Sequence, residues 1–168
     1  YFPDKVEALH ARSWNVSYAD NYKVVNTFTN VASVHAGSDA EVRPQTYVLV
    51  QCGTPVPALE GDLADATVIE IPIATAVDGD DVLFESFEFF GVADGLLGSG
   101  GAGLSTVEEP FLPTVFARQE SGEMVTLGYE TNLEVLTALE PDIYIKSSGE
   151  EETLAEVADT LNIPVVIY

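Results

Sequence analysis

Asp78-Gly-Asp-Asp81 places three carboxylates within four positions. Hard divalent cations require several oxygen ligands, so such a group can supply part of a cation site or grip the basic groups of a ligand. The same residues also suit the turn before a helix, where Asp80 or Asp81 would accept from unpaired backbone N–H groups and the helix dipole favours negative charge. Capping on an acidic surface is the simpler of these expectations. Catalytic patterns are few. The sequence holds no Gly-x-Ser-x-Gly elbow, Cys-x-x-Cys pair or His-Glu-x-x-His zinc motif. Its two histidines, His10 and His35, are not spaced as metal ligands. The one cysteine, Cys52, lies in the strand-like run Tyr47-Val-Leu-Val-Gln-Cys and reads as a packing residue. Gly98-Ser-Gly-Gly-Ala-Gly103 lacks the lysine and hydroxyl residue of a phosphate loop and is expected to form a flexible loop at a cleft mouth. No enzyme and no cofactor are expected.

The elements that must carry these residues alternate from Thr67 onward. Val68-Ile-Glu-Ile-Pro-Ile73 followed by Ala74-Thr-Ala-Val77 suggests one bent strand or two short ones. A helix with an apolar stripe of Leu83, Phe84, Phe87 and Phe90 should end at Gly91, and a strand lies within Val92 to Leu97. A helix starting near Pro110 or Pro113 ends by Gly122, because proline is tolerated only in a first turn. Asn132 caps a helix whose Leu133, Leu136 and Leu139 share a face, and Pro141 stops it. Ile143-Tyr-Ile is a short buried strand. Ser147 or Ser148 caps a last helix bearing Leu154, Val157, Ala158 and Leu161 on one face, before the strand of Ile163-Pro-Val-Val-Ile-Tyr168. Strands and helices in this alternation imply α/β architecture: a three-layer lobe with a short, mostly parallel sheet and right-handed crossovers. Ligands of such sheets sit beyond the carboxyl ends of the strands, which directs attention to Asp78–Asp81, residues 98–106, 128–131 and 147–149.

Residues 1–57 have a different texture. Trp14, Val16 and Tyr18 alternate with polar residues, Ala19-Asp-Asn21 makes a turn, and Tyr22-Lys-Val-Val-Asn-Thr-Phe resumes the extended pattern, so a hairpin is expected. A third strand runs from Thr46 to Cys52 before the punctuation of Gly53-Thr-Pro-Val-Pro57. The expected organisation is thus a small antiparallel β extension over 1–57 and an α/β lobe over 58–168.

Composition narrows the partners. Six Lys plus Arg against 28 Asp plus Glu give a formal net charge of −22, which repels nucleic acid and anionic membrane surfaces alike. Such acidity maintains solubility in saline surroundings. The 46% hydrophobic content supports a substantial core, yet no apolar run is long enough to span a bilayer. The opening Tyr1-Phe-Pro-Asp is not a secretion signal.

Asn132-Leu-Glu134, then Leu136 and Leu139, Pro141-Asp142 before a hydrophobic strand, and Leu161-x-Ile163-Pro-Val-Val166 stand in fixed order. In these residues the chain resembles the first lobe of the ABC-transporter substrate-binding proteins that deliver ferric siderophores, haem or cobalamin. Tyr-Phe-Pro-Asp-Lys-Val at the start and Tyr47-Val-Leu-Val-Gln-Cys-Gly-Thr-Pro resemble a prefix carried by some of its members. The resemblance implies a periplasmic or extracellular protein, lipid-anchored in its precursor, that binds an iron chelate or tetrapyrrole between two lobes and docks to an ABC permease. It implies that Glu134 pairs with a permease arginine; the position of their loops beyond the strand ends makes Asp78, Asp80, Asp81, Tyr129, Ser147 and Ser148 the expected ligand-binding residues. Tyr129 would stack on a chelate. The acids at 78–81 depart from the small hydroxyl residues common there in the family. The sequence stops where the family's linking helix would follow, so the second lobe is expected to be absent, by truncation or as a separate chain. The competing expectation is an acidic α/β regulatory or protein-interaction module with a divalent cation at Asp78, Asp80 and Asp81.

Overall fold

A computed structural model describes residues 2–30, 42–101, 107–147 and 151–168. The chain divides into two compact units, Tyr1–Pro72 with Ile167–Tyr168, and Ile73–Val166.

The first unit is built on a four-stranded sheet in the order β1-β2-β3-β4, formed by β1 (Trp14–Tyr18), β2 (Tyr22–Asn30), β3 (Val42–Gln51) and β4 (Thr67–Ile71). The expected hairpin is present: β1 and β2 are antiparallel, with Trp14 opposite Thr27 and Tyr18 opposite Lys23. β3 continues the antiparallel pattern, but β4 pairs parallel to β3 from Tyr47↔Thr67 to Gln51↔Ile71. The sheet is therefore mixed. Tyr47, Val48, Val50 and Ile69 are its buried residues. Because β4 belongs here, the unit extends to Pro72, fifteen residues beyond the boundary expected at 57.

The run from Val68 to Val77 is accordingly two strands in two sheets. β5 (Ala76–Asp78) lies at the centre of a five-stranded parallel sheet in the order β7-β6-β5-β8-β9, with β6 (Leu96–Gly100), β7 (Val125–Gly128), β8 (Ile143–Lys146) and β9 (Val165–Ile167). Alternation along the strands sends side chains to two separate cores. Leu96 joins Phe84, Ala93, Val107, Leu112, Val115 and Met124 on the face covered by α1 (Phe84–Phe89) and α2 (Pro113–Ser121). Its neighbour Leu97 packs with Val77, Leu127, Leu136, Tyr144, Val157 and Ile163 beneath α3 (Leu133–Leu139) and α4 (Glu151–Ala155). The sheet with helices on both faces is the α/β class the sequence implied.

Local signals explain the helix boundaries. Pro113 sits in the first turn of α2, and Gly122 ends it at φ 76°, the left-handed conformation that a side chain resists. The Asn132 side chain accepts from the N–H of Glu134 and Val135 at the start of α3. Three expectations shift. The strand expected within Val92 to Leu97 lies at Leu96–Gly100, after a 3₁₀ turn over Ala93–Gly95. Phe90 falls just past the end of α1 and is 72% exposed, so the apolar stripe is limited to Phe84 and Phe87. Beyond α4 the chain makes a π-helical turn over Glu156–Thr160, which advances fewer degrees per residue than an α-helix; Val157 stays buried while Ala158 turns outward.

Candidate functional site

The parallel sheet grows outward from β5 through β6 to β7, then returns to place β8 on the other flank of β5. Connections before and after this reversal leave in opposite directions, opening a crevice beyond the carboxyl ends of β5 and β8. Beyond these ends lie the loop that follows Asp78 and, from β8, Lys146 and Ser147.

The three acids of the first loop do not converge. Asp78 is fully buried. Its Oδ1 accepts from the Asp80 N–H at 3.0 Å and its Oδ2 from the Leu83 N–H at 3.1 Å, so it organises the turn into α1 from within. The side-chain cap expected of Asp80 or Asp81 is not formed: Leu83 is the N-cap of α1 and no side chain caps the helix, while Asp78 holds the turn that precedes it. Burial pushes its carboxyl above the ordinary value, against the pull of those two N–H groups.

Asp80 instead crosses the crevice. Its Oδ1 lies 3.2 Å from Lys146 Nζ, and its Oδ2 accepts from the Ser147 N–H at 2.6 Å. Burial pushes this carboxyl upward, but the Ser147 hydrogen bonds and the Lys146 ammonium outweigh it and hold the group below the ordinary value. Lys146 Nζ also donates to the Gly79 carbonyl at 2.8 Å, which fixes the ammonium at the mouth of the sheet. Among the described residues no group of three or more His, Cys, Asp or Glu is arranged to hold a metal ion.

The glycines bring these strands together. A side chain on Gly79 would collide with the Tyr144 ring, and one on Gly100 with the Gly79 backbone. Gly98, Ser99 and Gly100 are buried within β6, so this part of the glycine-rich run is close-packed strand and not loop. Gly101 is a turn residue at φ 64°, and residues 102–103 of the run lie outside the described residues.

Beside Lys146 opens a cleft of about 480 Å³ whose lining includes Tyr129, Glu130, Thr131, Leu133 and Leu154. Tyr129, 84% exposed, stands after Gly128, whose φ of 87° turns the chain out of β7. Thr131 Oγ1 and the buried Tyr144 hydroxyl share a hydrogen bond of 2.7 Å. Burial pushes the Tyr144 phenol up. Of the expected ligand-facing residues, the crevice and cleft thus bring together Asp80, Tyr129 and Ser147. Asp78 faces inward, Asp81 lines a different hollow with Val82, Phe84, Glu85 and Leu112, and Ser148 lies outside the described residues. Glu134 is exposed in the first turn of α3.

Lys146 went unremarked in the sequence, although a cation at the carboxyl end of a predicted strand, in a chain with only six Lys plus Arg, was a usable signal. Asp142 also shows its role only in three dimensions. Its Oδ2 accepts from the N–H groups of Ala74 at 2.6 Å and Thr75 at 2.9 Å, tying the approach to β5 to the approach to β8.

No family model matches the chain, and neither a curated protein nor a solved structure matches it. Among the described residues no helix is long and apolar enough to cross a membrane.

Proposed function

We propose that this chain forms one lobe of an extracytoplasmic substrate-binding protein of an ABC importer, that its ligand is of the iron-siderophore, haem or cobalamin type, and that Glu134 docks it to the permease. The observation that carries this reading is the division of labour within the Asn-Leu-Glu segment. Asn132 caps α3, Leu133 packs half-buried against the core, and Glu134 presents an exposed carboxylate. An exposed carboxylate on a rigid, capped turn suits a two-pronged arginine contact. Further support comes from Asp142 and Ile163, whose roles in joining strand approaches and filling the core give physical reasons for the rest of the motif. In that family the ligand lies between two lobes, and here the crevice beyond β5 and β8 is the face a second lobe would cover.

Titration of the full-length protein with ferric siderophores, haem and cobalamin, followed by Trp14 and tyrosine fluorescence, tests the ligand class. Saturable binding of one class is expected, and no response to any of the three rejects the reading. Glu134→Ala should leave folding and ligand affinity unchanged while weakening binding to the reconstituted permease about tenfold or more, the worth of a charge-assisted contact. Unaltered permease binding removes Glu134 from the interface.

A further inference from the structure

We infer that Lys146 Nζ and the Ser147 N–H form an oxyanion site held shut by Asp80, and that a ligand bearing a single carboxylate on an apolar body opens it by displacing Asp80. This takes the crevice as the ligand-facing end of the lobe, as proposed above. Asp80 occupies the reversal point of the sheet in the manner of a bound carboxylate: one oxygen on an ammonium at 3.2 Å, the other on a backbone N–H at 2.6 Å. Both donors come from the end of β8, and Lys146 Nζ has a second tie there, to the Gly79 carbonyl at 2.8 Å. The Asp80 and Lys146 side chains retain 23% and 16% exposure, so the pair is reached from solvent.

The chemistry of the incoming group follows from what it must replace and what lies beside it. Exchange of one carboxylate for another leaves the same donors satisfied and returns Asp80 to water, so the oxyanion alone gains little. The gain must come from the adjoining cleft, where the exposed Tyr129 ring and the half-buried Leu133 and Leu154 offer an apolar bed. Glu130 at the same cleft and the net charge of −22 oppose a second negative group. An aromatic or otherwise apolar monocarboxylate meets all three conditions; a small inorganic anion or a polycarboxylate does not, which narrows the ligand classes proposed above to a siderophore with one free carboxylate.

The test uses 2-naphthoate as probe on the full chain, with 2-naphthamide and acetate as comparators, monitored by the amide resonance of Ser147. Naphthoate should shift that resonance saturably, while naphthamide and acetate should not. Asp80→Asn removes the competing charge and keeps the side-chain shape, and should bind naphthoate about tenfold more tightly. Lys146→Met should lose binding. The inference is overturned if naphthamide binds as well as naphthoate, if Asp80→Asn with a native spectrum shows no gain, or if Lys146→Met binds normally. Should Asp80→Asn not fold, the naphthoate and naphthamide comparison on the unaltered chain still decides. Failure here with saturable binding of a siderophore, haem or cobalamin intact removes this inference alone; naphthoate binding with no response to any of those three removes the importer reading alone.

Discussion

Two of the first N–H groups of helix α2 are satisfied by a residue of another helix. Pro113 has no N–H to satisfy, and Phe116 donates to the Leu112 carbonyl within the turn at 2.8 Å. The two remaining donors, Thr114 and Val115, both reach Glu88 of α1, at 3.1 Å and 3.1 Å to Oε2, and the Thr114 hydroxyl adds a bond of 2.7 Å to Oε1. Leu112 provides no side-chain cap, so Glu88 performs that function from outside the helix. Loss of an N-cap side chain costs about 0.5–2 kcal/mol, and a carboxylate at the positive end of the dipole adds about 0.3–1 kcal/mol, so Glu88→Ala should destabilise by about 2 kcal/mol. Those values come from solvent-accessible helix ends and so already include competition from water. In a chain of this size the melting temperature should fall by about 4–8 °C, read by far-UV circular dichroism. Hydrogen exchange localises the effect: the Thr114 and Val115 amides should lose protection before those of Leu127 or Ile145. Glu88→Ala within about 0.5 kcal/mol of the unaltered chain, with both amides still protected, would falsify the assignment of Glu88 as the cap.

Two other substitutions test the packing and the charge accounting. Gly100→Ala forces a methyl group into the Gly79 backbone and should cost about 1–3 kcal/mol in urea unfolding, whereas a neutral result would mean β6 can move away from the β5 loop. For Asp142, hydrogen bonds from the Ala74 and Thr75 N–H groups hold the carboxyl below its ordinary value of 3.8. Its folded pKa is thus depressed, so its stabilisation is present above the unfolded value and lost as pH falls through the folded one. The stability gap between the unaltered chain and Asp142→Asn should therefore be constant near neutrality and shrink as pH falls below about 4. A gap in the urea midpoints that does not change with pH refutes this linkage.

The α/β class, the two capped helices and the last strands were legible because their determinants are local. Pro113 and Gly122 bracket α2, and Asn132 needs only the N–H groups two and three residues ahead of it to begin α3. The alternation of Leu96 and Leu97 between two cores is likewise a consequence of strand geometry alone. The site was only partly legible. Asp78-Gly-Asp-Asp81 attracted attention as a group, yet its members have three different surroundings, and no spacing rule distinguishes the buried acid from the one that crosses to β8. Glycine density at 98–103 suggested a loop, since sequence does not reveal that another backbone presses against Gly100. Two short strands were one of the two readings of Val68 to Val77, but only pairing assigns β4 and β5 to different sheets.

By itself, then, the sequence determined the alternation of strands and helices after Thr67, the ends of α2 and α3 and the acidic surface. These follow from backbone preferences, periodicity and charge, which act over a few neighbouring residues. Tertiary structure alone decided that Glu88 caps a helix 26 positions away and that Asp80 meets Lys146 across 66 positions. Such partners are chosen by strand order, and strand order reflects the burial of two whole faces of a sheet. That is a property of the assembled chain and not of any segment within it.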